Sequence, residues 1–241
     1  MGNQFYEAGQ RRAERVNDLF AAIAPRYDLI NDLQSFGLHR WWKRRLLQLA
    51  AVEPGMTALD LCCGTGDVAF AFAAAGARTI GMDFSAPMLE VAEVRKARIS
   101  QPCAPVFLQG DALQTSFPDA HFDLVTISYG LRNLASVDDG LREMWRVLKP
   151  GGRLLVLDFG KPDKAVLCRA YFIYLRLAVP MFGRLFCRNA EAYAYILESL
   201  QHYPAQRGVD EKLRALGAAN ARIVNFFGGV MSINMAEKPL G

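Results

Sequence analysis

The sequence predicts an α/β fold: a mostly parallel, seven-stranded sheet whose last strand runs antiparallel, with a helical N-terminal cap and a helical insertion. Three observations predict it. From Thr57 to Asp158 short apolar runs alternate with helical segments, the pattern of a parallel sheet. Most of those runs lack polar interruptions, which suits strands buried on both faces. The C-terminal stretch 221–238 reads as two strands joined at Gly228 and Gly229, a link too short for a parallel crossover, so they pair as a hairpin.

Taken in order, TALDLC (57–62), RTIGMD (78–83), PVFLQG (105–110), FDLVTIS (122–128) and RLLVLDF (153–159) are the first five strands. Between them GDVAFAFAAA, SAPMLEVAEVRKA and SVDDGLREMWRVL are helical, with Ser85 and Ser136 as N-caps and Pro150-Gly151 closing the last helix. No linker, low-complexity run or repeat divides the 241 residues. We expect a cap over 1–50 and a sheet domain over 51–241, with residues 161–205 as an inserted lid.

Composition narrows the function classes. Five cysteines (Cys62, Cys63, Cys103, Cys168, Cys187) show no CxxC spacing, so buried free thiols are expected and no metal site. The N-terminus is polar where a secretory signal would be apolar, which points to the cytoplasm. Net charge is +4, and residues 161–188 alone contribute +5; the rest is nearly neutral, which argues against nucleic acid as a partner. Nothing in the sequence fixes the oligomeric state, a homo-oligomer included.

The chemistry-bearing signal is Leu59-Asp60-Leu61-Cys62-Cys63-Gly64-Thr65-Gly66-Asp67, a strand ending in an acid and a Gly-rich turn that opens a helix. Gly64 and Gly66 let a ligand approach the backbone, and the helix start offers N–H donors. Asp83, seventeen residues after Gly66, ends the second strand, where a carboxylate can hold both hydroxyls of a ribose. Gly64 to Ala69 also satisfies G-x-G-x-x-A, so the turn alone would equally serve an NAD-dependent oxidoreductase. Asp60 before the turn and Asp111 after the third strand change that balance. Acids at three successive strand ends suit S-adenosylmethionine (AdoMet) better than a pyrophosphate, with Asp60 near the methionine end and Asp111 near the adenine amino group.

Together LDLCCGTGD, MDFSAPML, GDA, ISYGLRN and LKPGGRLLVLDF resemble the UbiE/MenG/COQ5 family of quinone-ring C-methyltransferases. The resemblance runs nearly end to end. Its specific part is Tyr27-Asp28, Asn31-Asp32 and Ser35 to Lys43 (SFGLHRWWK) in the cap, with Gly130-Leu131-Arg132-Asn133 after the fourth strand. It implies a single Rossmann-like class I AdoMet methyltransferase domain, with S-adenosylhomocysteine as product. The cofactor contacts it implies are Thr65, Asp83, Asp111, Ala112 and Ser128, to which the residues themselves add Asp60, Gly64 and Gly66. Two positions depart from the pattern. Cys62 stands where many methyltransferases carry the first glycine, and Tyr129 where Phe is usual before GLRN.

The implied reaction is methylation of a ring carbon of a lipophilic polyprenyl quinol. Demethylmenaquinol is the expected acceptor, and 2-methoxy-6-polyprenyl-1,4-benzoquinol of ubiquinone biosynthesis is the alternative. Arg132 is the candidate for stabilising the phenolate, since a guanidinium stays charged and is a poor proton acceptor. Asn133 is assigned to orient the ring oxygen or a water, and Tyr27 to close over the quinol. A silent member that binds AdoMet and scaffolds a quinone-synthesis assembly is a further reading, which a methyl-transfer assay separates. In the insertion, Arg169, Arg176 and Arg184 interrupt the apolar stretch 165–187 and leave Tyr171, Phe172, Leu175 and Leu177 as an apolar side. We expect either a packed lid or a flap that meets the inner face of the membrane peripherally.

Overall fold

The computed structural model of the chain describes residues 24, 31–32, 35–99, 104–182 and 191–240; Tyr27, Asp28, Cys103, Arg184, Cys187 and Arg188 lie outside them. In chain order the elements are α1 (Leu38–Ala50), β1 (Thr57–Leu61), α2 (Asp67–Ala74), β2 (Arg78–Asp83), α3 (Ala86–Arg98), β3 (Val106–Gln109) and β4 (Phe122–Ser128). A 3-10 turn (Leu131–Asn133), α4 (Val137–Val147), β5 (Leu148–Phe159), α5 (Ala165–Phe182), α6 (Glu191–His202), α7 (Ala205–Ala215), β6 (Ala219–Phe226) and β7 (Met231–Glu237) follow.

One seven-stranded sheet results, in the order β3-β2-β1-β4-β5-β7-β6. The pairs β1–β2, β1–β4, β2–β3 and β4–β5 are parallel, and β7 runs antiparallel to both β5 and β6. The expected hairpin is there, and Gly228 and Gly229 turn it with φ of 69° and 103°, values that favour glycine. The fifth strand begins earlier than expected. Leu148 already pairs with Phe122 before a register shift leads to Leu124 opposite Arg153, so Pro150-Gly151 sits within a bulged strand and α4 ends at Val147.

Alternation along the strands builds two cores. On one face Leu59, Val125, Leu154 and Val156 pack with Leu141 and Met144 of α4, Tyr171 and Leu175 of α5, and Leu213 of α7. On the other, Ala58, Leu124, Leu155 and Leu157 meet Trp42 and Leu46 of α1 and Phe72 of α2. Successive strand residues point to opposite faces, which is why uninterrupted apolar runs were required. β3, at the sheet edge, is largely exposed.

Because β1 leads to β2 on one side and β4 lies on the other, the loops after β1 and β4 part at the carboxyl edge of the sheet. That divergence opens the crevice in which α/β proteins of this kind bind ligands. Among the described residues no helix is long and apolar enough to cross a membrane.

Candidate active site

The loop after β1 is folded by three left-handed residues, Cys62, Gly64 and Gly66, with φ of 51°, 54° and 88°. It is stapled to the end of β2: the Cys63 N–H donates to the Met82 carbonyl (3.1 Å) and the Gly64 N–H to Asp83 Oδ2 (2.8 Å). Asp83 Oδ1 accepts from the Ser85 N–H at 2.9 Å. Burial pushes the Asp83 carboxyl above its ordinary value, opposed by these backbone donors.

These elements wall a cavity at the carboxyl edge. Gly64 and Asp83 line it from the first two strands, Asp111 and Ala112 from the third, and Ser128 and Asn133 from the fourth and the turn after it. Six of the residues singled out from sequence therefore meet in one place. The Ser128 and Ser85 hydroxyls both line this cavity, buried and without a hydrogen-bond partner among the described residues. Buried hydroxyls are costly to leave unpaired, so a polar ligand is what this wall fits. Ser85 stands at the N-cap of α3 but its side chain makes no capping bond, unlike Ser136, whose Oγ accepts from the Asp139 N–H.

Four predicted residues surround the cavity without lining it. Gly66 is a packing glycine, since a Cβ there would come 2.7 Å from Phe107 and 2.9 Å from Phe70. Thr65 Oγ1 accepts from Arg95 (3.0 Å). Asp60 is fully buried behind the loop, where Oδ1 accepts from Thr126 Oγ1 at 2.8 Å. Arg132 is 6% exposed and its Nη1 donates to Asp158 Oδ1 at 2.7 Å and to the Tyr129 carbonyl at 2.6 Å, with the guanidinium 4.7 Å from the Phe159 ring centroid. The fifth, Tyr27, lies outside the described residues.

Arg132 and Asn133 converge on one acceptor. Asn133 Nδ2 also donates to the Tyr129 carbonyl, at 3.2 Å, and Tyr129 has φ of 59°, a strained value for an aromatic residue. Gly130 is needed for close approach: a Cβ there would lie 2.5 Å from Cys62 Cβ. The GLRN run thus clamps a strained turn against the Gly-rich loop. Sequence reading missed Phe84 and Met88, which add apolar wall; their signal was position alone, directly after the strand-end acid.

Electrostatics separate the two cofactor readings. Asp67 opens α2, and its carboxylate bridges Lys43 of α1 (2.7 Å) and Arg95 of α3 (2.6 Å). Burial raises this carboxyl, but the two cations outweigh burial and hold it at about 2. The Asp67 carboxylate already occupies the helix N-terminus that a pyrophosphate would use, and Asp83 places a carboxyl on the cavity wall.

Burial pushes Asp60 up to about 7 despite the Thr126 bond. A carboxyl whose folded pKa exceeds its unfolded value loses stability as pH rises from about 4 through about 7, because the folded state must then bury a charge. Asp60→Asn keeps an acceptor for Thr126, so its melting temperature is expected to change less than that of the parent between about pH 5 and about pH 8. Parallel melting curves would count against this burial effect.

A sequence model described as the ubiE/COQ5 methyltransferase family matches residues 8–238. The chain belongs to that family. It is 39% identical over 232 residues, covering 95% of this chain and 91% of the relative, to the ubiquinone/menaquinone biosynthesis C-methyltransferase UbiE of Ectopseudomonas mendocina (strain ymp). The protein of the same name from Cellvibrio japonicus (strain Ueda107) is 39% identical over 233 residues, covering 95% and 94%. Among solved structures, an AdoMet-dependent methyltransferase from Aquifex aeolicus superposes with a TM-score of 0.56 at 17% identity, over 80% of this chain and 88% of that one. A Haemonchus contortus phosphoethanolamine N-methyltransferase holding S-adenosylhomocysteine superposes with 0.61 at 17%, over 82% and 52%. As a ubiE/COQ5 family member the protein is an AdoMet-dependent C-methyltransferase of class I fold, and the nicotinamide reading falls away.

Proposed function

We propose that the chain methylates a ring carbon of a polyprenyl quinol. The relatives' names cover both ubiquinone and menaquinone biosynthesis, so a menaquinone-only acceptor is too narrow. The methoxy-benzoquinol becomes the leading acceptor and demethylmenaquinol the second. One observation carries the reading: a ubiE/COQ5 chain whose cavity joins Asp83, Asp111 and the Ser128 hydroxyl, which has no partner among the described residues, to Asn133 of the GLRN turn. Asp83 would hold the ribose hydroxyls and Asp111 the adenine edge, with Ser85 and Ser128 donating to the remaining polar atoms.

Bound AdoMet supplies an electrophilic methyl on a sulfonium. The chain's own work is alignment and charge control. Asn133 orients the ring oxygen so that its electron density reaches the adjacent carbon. The ring hydroxyl gives its proton to water, the adjacent carbon takes the methyl as the bond from that methyl to sulfur breaks, and the carbon's own proton then passes to the ring oxygen and restores the hydroxyl. Arg132 Nη1 is held by Asp158 and the Tyr129 carbonyl outside the cavity wall, so Arg132 acts by fixing the GLRN turn that carries Asn133 rather than by bringing charge to the ring oxygen.

The test is turnover with each quinol alone and in competition. The benzoquinol is expected to be methylated with the higher kcat/KM and to inhibit methylation of the naphthoquinol. Methylation of demethylmenaquinol alone would return the acceptor to the naphthoquinol, and no methylation of either would leave the silent scaffold.

A further inference from the structure

Helix α5 is apolar on two opposite sides. Tyr171 and Leu175 point into the core, 7% and 5% exposed. On the far side Val166, Ile173 and Leu177 are 84%, 52% and 69% exposed. With Ala170, also exposed, they fall at i, i+4, i+7 and i+11, which is one stripe along a helix. Leu177 therefore faces away from Tyr171 and Leu175 rather than sharing their side. A helix apolar on both sides needs cover on both. Arg169 and Arg176, seven residues apart and exposed, flank the stripe, and no acid occurs from Lys164 to Phe182.

The stripe continues onto two other elements. In the turn after β6, Phe227 is 56% exposed, and beside it Trp41 of α1 is 50% exposed, its ring centroid 5.0 Å from Phe226 and 6.3 Å from Phe227. The same turn abuts α5: a Cβ on Gly228 would come 2.6 Å from Leu167 Cδ2. Apolar surface thus runs from Trp41 through Phe227 to Leu167 and Val166. Arg44 and Arg45, both exposed, lie within one helical turn of Trp41, and neither α1 nor the turn carries an acid.

We propose that this face, made by α1, the β6–β7 turn and α5, docks the enzyme on an anionic lipid bilayer. Aromatic rings take the interfacial level, the aliphatic stripe enters the acyl boundary, and the arginines meet anionic headgroups. A second copy of the chain is a poorer occupant. A two-fold contact sets the same patch against itself, which would face arginines with arginines and offer no acid between them. The proposal rests in part on the polyprenyl acceptor, whose tail resides in lipid; its test uses no quinol tail, so the two readings fail separately.

The full chain is sedimented with vesicles of phosphatidylcholine alone or mixed with phosphatidylglycerol, and tryptophan fluorescence is read against brominated lipid, with Trp41→Phe identifying the share that comes from Trp41. Binding to the anionic vesicles is expected, weakened by salt and accompanied by quenching. Arg169→Glu with Arg176→Glu should lower partitioning by roughly tenfold or more, and Ile173→Asp with Leu177→Asp by a similar factor. Both pairs should keep AdoMet affinity and turnover of a short-tailed, water-soluble quinol. Equal partitioning onto both vesicle types overturns the proposal, as does wild-type binding by both double variants. A dimer in solution that Ile173→Asp with Leu177→Asp dissolves, without vesicle binding, would assign the face to a second copy instead.

Discussion

Asp83→Ala is expected to weaken AdoMet binding on the order of a hundredfold, the loss of two charge-assisted hydrogen bonds to a ribose. The substitution acts twice. It removes the ligand's acceptor, and it strands the Gly64 and Ser85 N–H groups that the carboxylate now holds at 2.8 and 2.9 Å. Calorimetric titration with AdoMet reads the sum. Asp83→Asn separates the parts, because an amide oxygen can still accept from one N–H while it no longer receives a ribose with full charge; an intermediate Kd is expected. A Kd within about threefold of the parent for the alanine variant would remove Asp83 from the cofactor site.

Arg132→Ala should be the most damaging single change to stability. Its partner Asp158 is 2% exposed, and breaking a buried ion pair from one side costs about 3–5 kcal/mol because the remaining charge has no compensation. In a chain of this size that is a fall of roughly 6–20 °C in melting temperature. Turnover should fall too, since the clamp on Tyr129 goes with it. The two losses can be told apart. Arg132→Met with Asp158→Asn removes both charges and keeps an oxygen for one of the two backbone N–H groups, of residues 132 and 159, that Asp158 Oδ2 and Oδ1 now satisfy at 3.1 and 2.8 Å. This double variant is expected to regain most of the melting temperature but not the turnover. Recovery of both would make Arg132 purely structural. Loss of turnover with normal stability in Arg132→Ala would instead give its donor wholly to the substrate.

The strands were legible because their burial is written locally. Leu154 to Leu157 are four consecutive apolar residues, and only a strand covered on both faces uses all four. The strand-end acids were legible for the same reason: Asp83 and Asp111 directly follow runs whose direction was clear, and both reach the cavity. Spacing does not say which side of a loop faces the ligand. Gly66 and Asp60 belong to the right motif, yet one packs on Phe107 and the other on Thr126, partners supplied by neighbouring strands. Arg132 shows a longer-range version. Its partner Asp158 also ends a strand, so the logic that singled out Asp83 would have flagged it, but a contact across 26 residues is settled by the β4–β5 pairing and not by either segment alone. The same holds for Lys43 and Asp67, which tie α1 to the Gly-rich loop across 24 residues. In the insertion, periodicity found the arginines but grouped Leu177 with the inward side chains, since both sides of α5 are apolar and composition cannot tell them apart.

The account stands on carbon methylation of a quinol ring, and the most direct measurement is transfer of an isotopically labelled methyl from AdoMet. The protein is incubated with labelled AdoMet and a reduced short-tailed benzoquinol, and the product is resolved by carbon NMR. One labelled methyl is expected on a ring carbon beside an oxygenated position, formed together with S-adenosylhomocysteine and abolished by Asp83→Ala. Label on a ring oxygen, or no transfer to any quinol while AdoMet still binds, would contradict it.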